Sequence, residues 1–325
     1  MATSDTAHQP HNPPKPPSPP TPRNTTCTLL VEPDQGLTPI YSLIATAKKS
    51  IDMTMYELTD VTVMDALAKA AAGGVTVRVI LDQNGEKTSN TPAYNYLTQH
   101  NVAVHWANPA YALTHQKTIT VDQTTSAIMT LNLTPVDYAE TRDFAVITND
   151  AADVAAIETT FNADFTNTSI TAPTGDNLVW SPTNSLSSLE GLINGATKSL
   201  LIAQEEFDES AIQSALISAL KRGVSVTLVQ ENENNKYTTE LTAMKQAGAK
   251  IAIYSSTKTN AYYIHAKAIL ADYGTANAKL FLGSENLTSE SLTKNRELGL
   301  IFSDAASMTG VYNAITKDFS GGTPF

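Results

Sequence analysis

The sequence predicts an α/β fold built from two similar halves packed about a pseudo-twofold axis. Three observations carry that prediction. Strand and helix patterns alternate along the chain; the alternation occurs twice, at a near-constant offset of about 149 residues; and the second copy repeats polar as well as apolar positions. "LVEPDQGLTPIYSLIATAKKSIDMTMYEL", from Leu30, lies over "LVWSPTNSLSSLEGLINGATKSLLIAQEEF", from Leu178, with Pro33 on Pro182. Lys49-Ser50 then meets Lys198-Ser199, Glu57 meets Glu206, and "GGVTVRVILDQN" from Gly73 meets "RGVSVTLVQEN" from Arg222. The expected divisions are a tail over 1–25, a first half over 26–170 and a second half over 171–325.

The tail comes first. "QPHNPPKPPSPPTP", from Gln9, is dominated by proline, which fixes φ and removes donors, so a solvated, disordered spacer is expected. Each half then opens with a short strand. The helix that follows has apolar residues at helical spacing: Ile40, Leu43, Ile44 and Ala47 in one half, Leu189, Leu192, Ile193 and Ala196 in the other. A β-branched strand leads into a second helix, Val63 to Ala72 or Ala211 to Lys221, which ends at glycine and runs into "VTVRVIL" or "VSVTLVQ".

Composition narrows the function classes. A chain of 325 residues with 42 % apolar content can bury a full core. The formal charge of −11 argues against wholesale grip on a phosphate backbone, which needs clustered Lys and Arg. No apolar run has the roughly 18 residues of a membrane span, and Met1 to Ala7 lacks the basic start of an export signal. Cys27 is the sole cysteine, so neither an intrachain disulfide nor a Cys-based zinc site is expected. Thr, Asn and Ser richness, few lysines and the Pro-rich leader suggest an exported, extracytoplasmic protein.

Chemistry concentrates late in each half. "HQKTITVD" holds His115, Lys117 and Asp122, and "HAKAILAD" holds His265, Lys267 and Asp272, so H-x-K-x4-D occurs twice. Side chains two apart on a strand share a face, so each His–Lys pair is expected to converge on one anion. Downstream stand Thr130 and Asn132 in "MTLNLT" and Ser284 and Asn286 in "GSENLT". Eleven residues beyond each Asn is an acid, Asp143 or Glu297.

These paired motifs resemble the phospholipase D superfamily, whose two HKD motifs build one active site. The resemblance runs from about Leu30 to the end of the chain. It implies a phospholipase D-like fold, an α/β sandwich in each half, with the motifs meeting between halves. It also implies phosphodiester cleavage with no metal or other cofactor. By that resemblance His115 is the nucleophile, forming a phosphohistidine, and His265 is the general acid and then the general base. Lys117 and Lys267 supply charge, Asn132, Asn286, Thr130 and Ser284 bind substrate, and Asp143 and Glu297 hydrogen-bond the histidines. Asp122 and Asp272 organise the motifs. Met129 stands where the family has glycine, and its bulk is expected to narrow the pocket beside His115.

Substrate is left open between classes. The leading expectation is a phosphodiesterase acting on phospholipid head groups, by hydrolysis or transfer, working as a monomer with transient contact to a membrane surface. The alternative is a nuclease of the same superfamily, with Arg142, Lys258, Lys294 and Arg296 forming a local positive mouth. A third reading is an inactive scaffold or lipid-binding relative, set against the fact that both His and both Lys are present. Glu57 and Glu206 are expected either to line the site or to cap the following helix. Tyr111, Tyr262 and Tyr263 are expected to wall a pocket or to pack in the core.

Overall fold

A computed structural model describes residues 27–256 and 262–325. The expected Pro-rich tail and Lys258 lie outside the described residues.

The first half runs β1 (Thr28–Glu32), α1 (Thr38–Ala45), β2 (Ser50–Met55), α2 (Val61–Ala72), β3 (Thr76–Leu81), α3 (Lys87–Gln99), β4 (Ala103–Trp106), β5 (Thr118–Val121), β6 (Thr125–Met129), β7 (Thr141–Thr148) and α4 (Ala151–Phe165). The second runs β8 (Leu178–Ser181), α5 (Ser185–Gly195), β9 (Ser199–Gln204), α6 (Ser210–Lys221), β10 (Ser225–Glu231), α7 (Thr238–Gln246) and β11 (Lys250–Tyr254). It continues with β12 (Tyr263–Ile264), β13 (Lys267–Ala271), β14 (Lys279–Gly283), α8 (Ser289–Thr293), β15 (Glu297–Phe302), α9 (Ala305–Gly321) and β16 (Thr323–Pro324). The α/β character and the internal likeness of the halves are as the sequence predicts.

Each half carries a mixed sheet. The first has the order β1-β7-β6-β5-β2-β3-β4, and the second β16-β11-β10-β9-β13-β14-β15-β8. The α2 and α6 crossovers make β2–β3 and β9–β10 parallel, while the hairpins that follow each motif are antiparallel. Asp60 caps α2 through the amides of Thr62 and Val63, and Glu209 caps α6 through that of Ala211. Each cap satisfies donors that the first helical turn leaves open.

Three apolar clusters result. Ile40, Ile51, Leu67, Val79 and Ile119 belong to the cluster under the first sheet, and Leu189, Ile202, Leu216, Leu228 and Ile269 to its counterpart under the second. The third joins the halves: Ile128, Phe144 and Val146 of the first pack with Trp180, Leu270, Leu282, Leu298 and Leu300 of the second. Burying such side chains is worth about 1.5–3 kcal/mol each, so the halves form one body rather than two tethered ones.

The interface also exchanges strand. β12, from the second half, pairs parallel with β7 of the first, Tyr263 on Thr141 and Ile264 on Arg142. On the other side Thr114 makes an isolated parallel bridge to Arg296. Both segments immediately precede a motif histidine.

Candidate active site

The strand exchange dictates how the site is wired. Because Ile264 sits opposite Arg142, the next residue on one segment, His265, falls beside the next on the other, Asp143; His265 Nδ1 lies 2.9 Å from the Asp143 carboxylate. The same step from the Thr114–Arg296 bridge sets His115 Nδ1 2.9 Å from Glu297. Each imidazole is thus oriented by the acid of the opposite half. With Nδ1–H donated to a carboxylate, each ring keeps Nε2 for chemistry.

Neither histidine lies in a strand. β5 starts at Thr118 and β13 at Lys267, so the expectation of a His–Lys pair sharing one strand face is corrected. The physical reason is the exchange itself: the residues before each His pair with the other half and turn it toward the interface. The lysines are buried beneath, 1 % exposed for Lys117 and 0 % for Lys267. Each Nζ donates to the carbonyl of its own motif histidine, at 2.6 Å for Lys117. Burial pushes Lys117 down to about 7; Glu297 and Glu205 hold its charge, and Lys267 opposes it. His115 is lowered by burial and by Lys117 and Lys267, against the pull of Glu297.

The remaining predicted residues divide. Asn132 and Asn286 line the cavity, with Asn132 Oδ1 lacking a partner. Thr130 and Ser284, expected to bind substrate, do not reach it; both are fully buried. Thr130 Oγ1 donates to Asp143 at 2.5 Å and accepts from the amide of Phe144, and Ser284 Oγ accepts from the amide of Leu298 next to Glu297. They sit behind the acids because they directly follow β6 and β14, which pair edge to edge with β7 and β15. Asp122 and Asp272 lie away from the cavity at φ of 53°. Asp122 takes the amides of Lys48, Lys49 and Ser50, and Asp272 those of Thr197, Lys198 and Ser199. Those bonds tie each hairpin to the start of β2 or β9.

Other expectations are corrected by burial. Met129 is 0 % exposed and packs into the first core, so it does not narrow the pocket. Arg142 and Arg296 form no positive mouth: Arg142 pairs with Asp318 of α9 at 2.7 Å and Arg296 with Asp164 of α4 at 2.9 Å, both 1 % exposed. Lys294 does line the cavity. Glu57 and Glu206 line it too, and the helix caps are Asp60 and Glu209 instead. Tyr263 reaches the cavity, whereas Tyr111 and Tyr262 stack against Arg296 and Arg142.

The cavity measures about 660 Å³. Both histidines stand in its wall with Asp143 and Glu297. Among the other charged groups of the wall acids predominate, with Glu57, Glu86, Asp137, Glu206, Asp208 and Glu290 against two lysines, Lys294 and Lys236, the latter paired with Glu206 at 2.7 Å. Sequence reasoning missed Glu205, whose carboxylate lies 2.7 Å from Lys267 Nζ. It also missed Ser291 and Asn295, which donate to Glu297 at 2.8 and 3.0 Å. The available signal for Glu205 was a second acid ending the apolar run "SLLIAQEE", beside the Glu206 already matched to Glu57.

A family model described as cardiolipin synthase, PLD-like domain, matches residues 40–165 and again 189–320. The chain belongs to the phospholipase D-like family. Both matched segments carry one full motif, so this family's phosphodiesterase-type domain accounts for most of the chain. The fold is shared with a polyphosphate kinase from Porphyromonas gingivalis, at 14 % identity and a TM-score of 0.68, over 90 % of this chain and 50 % of that one. This chain therefore spans about half the length of that kinase. It is shared also with a phosphatidylserine synthase from Haemophilus influenzae, at 14 % identity and a TM-score of 0.68, covering 92 % of this chain and 87 % of that one. Nuc from Salmonella typhimurium, described as a phospholipase D family member, aligns over 46 % of this chain and 95 % of its own at 22 % identity and a TM-score of 0.40. A search of curated proteins found no match.

Proposed function

We propose that this phospholipase D-like protein cleaves the phosphodiester of phospholipid head groups through a phosphohistidine, the cationic help coming from side chains rather than a metal. His115 Nε2 attacks phosphorus while His265 Nε2–H gives its proton to the departing alcohol oxygen. A water, or an alcohol in transfer, then loses a proton to His265 and displaces His115 from phosphorus. Asn132 and Asn286, in the cavity wall, are the groups available to the phosphoryl oxygens, and Lys117 and Lys267 supply positive charge from beneath as charge builds there.

The observation that carries the lipid reading is the acidic outer wall. Glu57, Asp137, Glu206 and Asp208 repel a polyanion that must thread the cavity, yet suit one phosphodiester monoanion whose substituent is zwitterionic or cationic. With Arg142 and Arg296 consumed in buried ion pairs, the positive mouth a nuclease needs is not formed by them.

The test sets purified protein, with His115→Ala and His265→Ala controls, against phosphatidylcholine vesicles and single-stranded DNA in parallel, in chelator. Head-group release that both controls abolish is the expected result. DNA cleavage with silent vesicles transfers the site to the nuclease reading, and full loss of activity in chelator rejects side-chain cations as sufficient.

A further inference from the structure

The two halves place many equivalent groups around their histidines, but they differ at the end of β2 and β9. At the repeat offset Tyr56 corresponds to Glu205. Tyr56 presents its ring to His115 edge-on, centroids 4.6 Å apart, and lies 5.0 Å from Lys117 Nζ. Glu205 instead sets a carboxylate 2.7 Å from Lys267 Nζ and 3.7 Å from His265 Nε2. Asn286 Nδ2 donates to it at 3.0 Å, and the Tyr263 hydroxyl donates to its other oxygen. The side chain is held by three hydrogen-bond donors, Lys267, Asn286 and Tyr263, and is 16 % exposed.

We propose that Glu205 is a positioning residue that divides the labour of the two histidines, holding the imidazolium of His265 while Tyr56 leaves the matching edge of His115 without a carboxylate. The inference rests on the phosphohistidine reading, which requires one protonated and one neutral ring in the same pocket.

Charge around each ring supports the division. His265 faces Asp143 from β7 at Nδ1 and Glu205 from the end of β9 at Nε2. Its own segment adds Lys267 and Tyr263, β10 adds Glu231, whose carboxylate meets the amide of Ile264, and Lys117 approaches from the other half. Both ring nitrogens of His265 are thus flanked by acids, Asp143 at Nδ1 and Glu205 at Nε2. At its ring nitrogens His115 has one acid, Glu297 at Nδ1; Asp82 meets the amide of Thr114 at 2.7 Å as Glu231 meets that of Ile264, and Lys117 and Lys267 disfavour a further charge. Burial pushes the Glu205 carboxyl up, but Lys267, His265 and Tyr263 hold it well below the usual range, so it is an anion throughout the working pH.

NMR titration of the histidine ring signals, assigned with the His115→Ala and His265→Ala proteins, tests this. In Glu205→Gln the amide oxygen can keep the position that accepts from Asn286 and Lys267, and the amide nitrogen can donate to a Tyr263 hydroxyl rotated to accept, so the local frame survives while the charge is gone. The His265 midpoint is expected to fall by about one pH unit or more, the His115 midpoint to stay, and the alkaline limb of kcat/KM to move down in step. In the reciprocal variant, Tyr56→Glu, the His115 midpoint is expected to rise. A His265 midpoint unchanged in Glu205→Gln overturns the proposal, whatever the turnover. If the midpoint moves but no phosphodiester is cleaved by the wild-type protein, the proton assignment stands and the proposed reaction fails.

Discussion

At the residue scale the site is a set of near-symmetric pairs in a dry setting. His115 and His265, each 8 % exposed, sit over lysines that water does not reach. Replacing either histidine with alanine is expected to lower turnover by several orders of magnitude while the fold and its cooperative melting are retained, because the two act as one unit; head-group release and a melting curve on the same sample check it. Lys117 gives a pH prediction with a definite sign. A lysine is cationic below its pKa, and this one is lowered to about 7, so its charge is present in acid and lost as pH rises through neutrality. Affinity for an inert oxyanion such as tungstate is expected to fall between pH 6 and pH 8, by roughly a factor of ten, as one positive charge beneath the site is lost. Calorimetric titration at the two pH values checks it, and affinity that rises with pH contradicts the assignment.

At the element scale, hairpins carry the site and small residues let them close. Gly283, at the end of β14, lies against Gly299 of β15, and a Cβ there would overlap Gly299 Cα and Glu285 Oε2. Gly283→Ala is expected to cost about 1–3 kcal/mol by overpacking, read as a lower denaturant midpoint, together with reduced activity because β15 begins at Glu297. The first half solves the same place with Met129, whose side chain turns into the core. Asp272→Asn tests the other hairpin anchor. It keeps a residue tolerant of the positive φ but removes the charge that takes three successive amides, and a loss of about 1.5–3 kcal/mol is expected in the same assay.

At the scale of the whole molecule, duplication and exchange make the halves interdependent. Each half holds a histidine that only the other half's acid orients, and each arginine preceding an acid is buried against a helix: Arg142 on Asp318, Arg296 on Asp164. Arg142→Ala strands Asp318 as an unpaired buried carboxylate, so a loss of about 3–5 kcal/mol is expected. Equilibrium denaturation checks it, and a change within about 0.5 kcal/mol would show the pair to be dispensable. Among the described residues no helix is long and apolar enough to cross a membrane.

The sequence by itself determined the repeat, the opening strand–helix–strand–helix–strand order of each half, and the identity of both motifs, because periodicity and spacing are local properties of the chain. Helix α2 begins at Val61 and α6 at Ser210, within two residues of the positions read from apolar spacing alone. Only the tertiary structure decided which acid serves which histidine, that Thr130 and Ser284 stand behind those acids, and that Arg142 and Arg296 are neutralised inside the interface. It also brought Glu205 to Lys267 and His265, more than fifty residues away. Those outcomes depend on one strand pairing, β12 on β7, and on burial across the interface between halves. A linear pattern states which groups a chain owns, whereas the charge of a buried group is set by neighbours that the fold supplies.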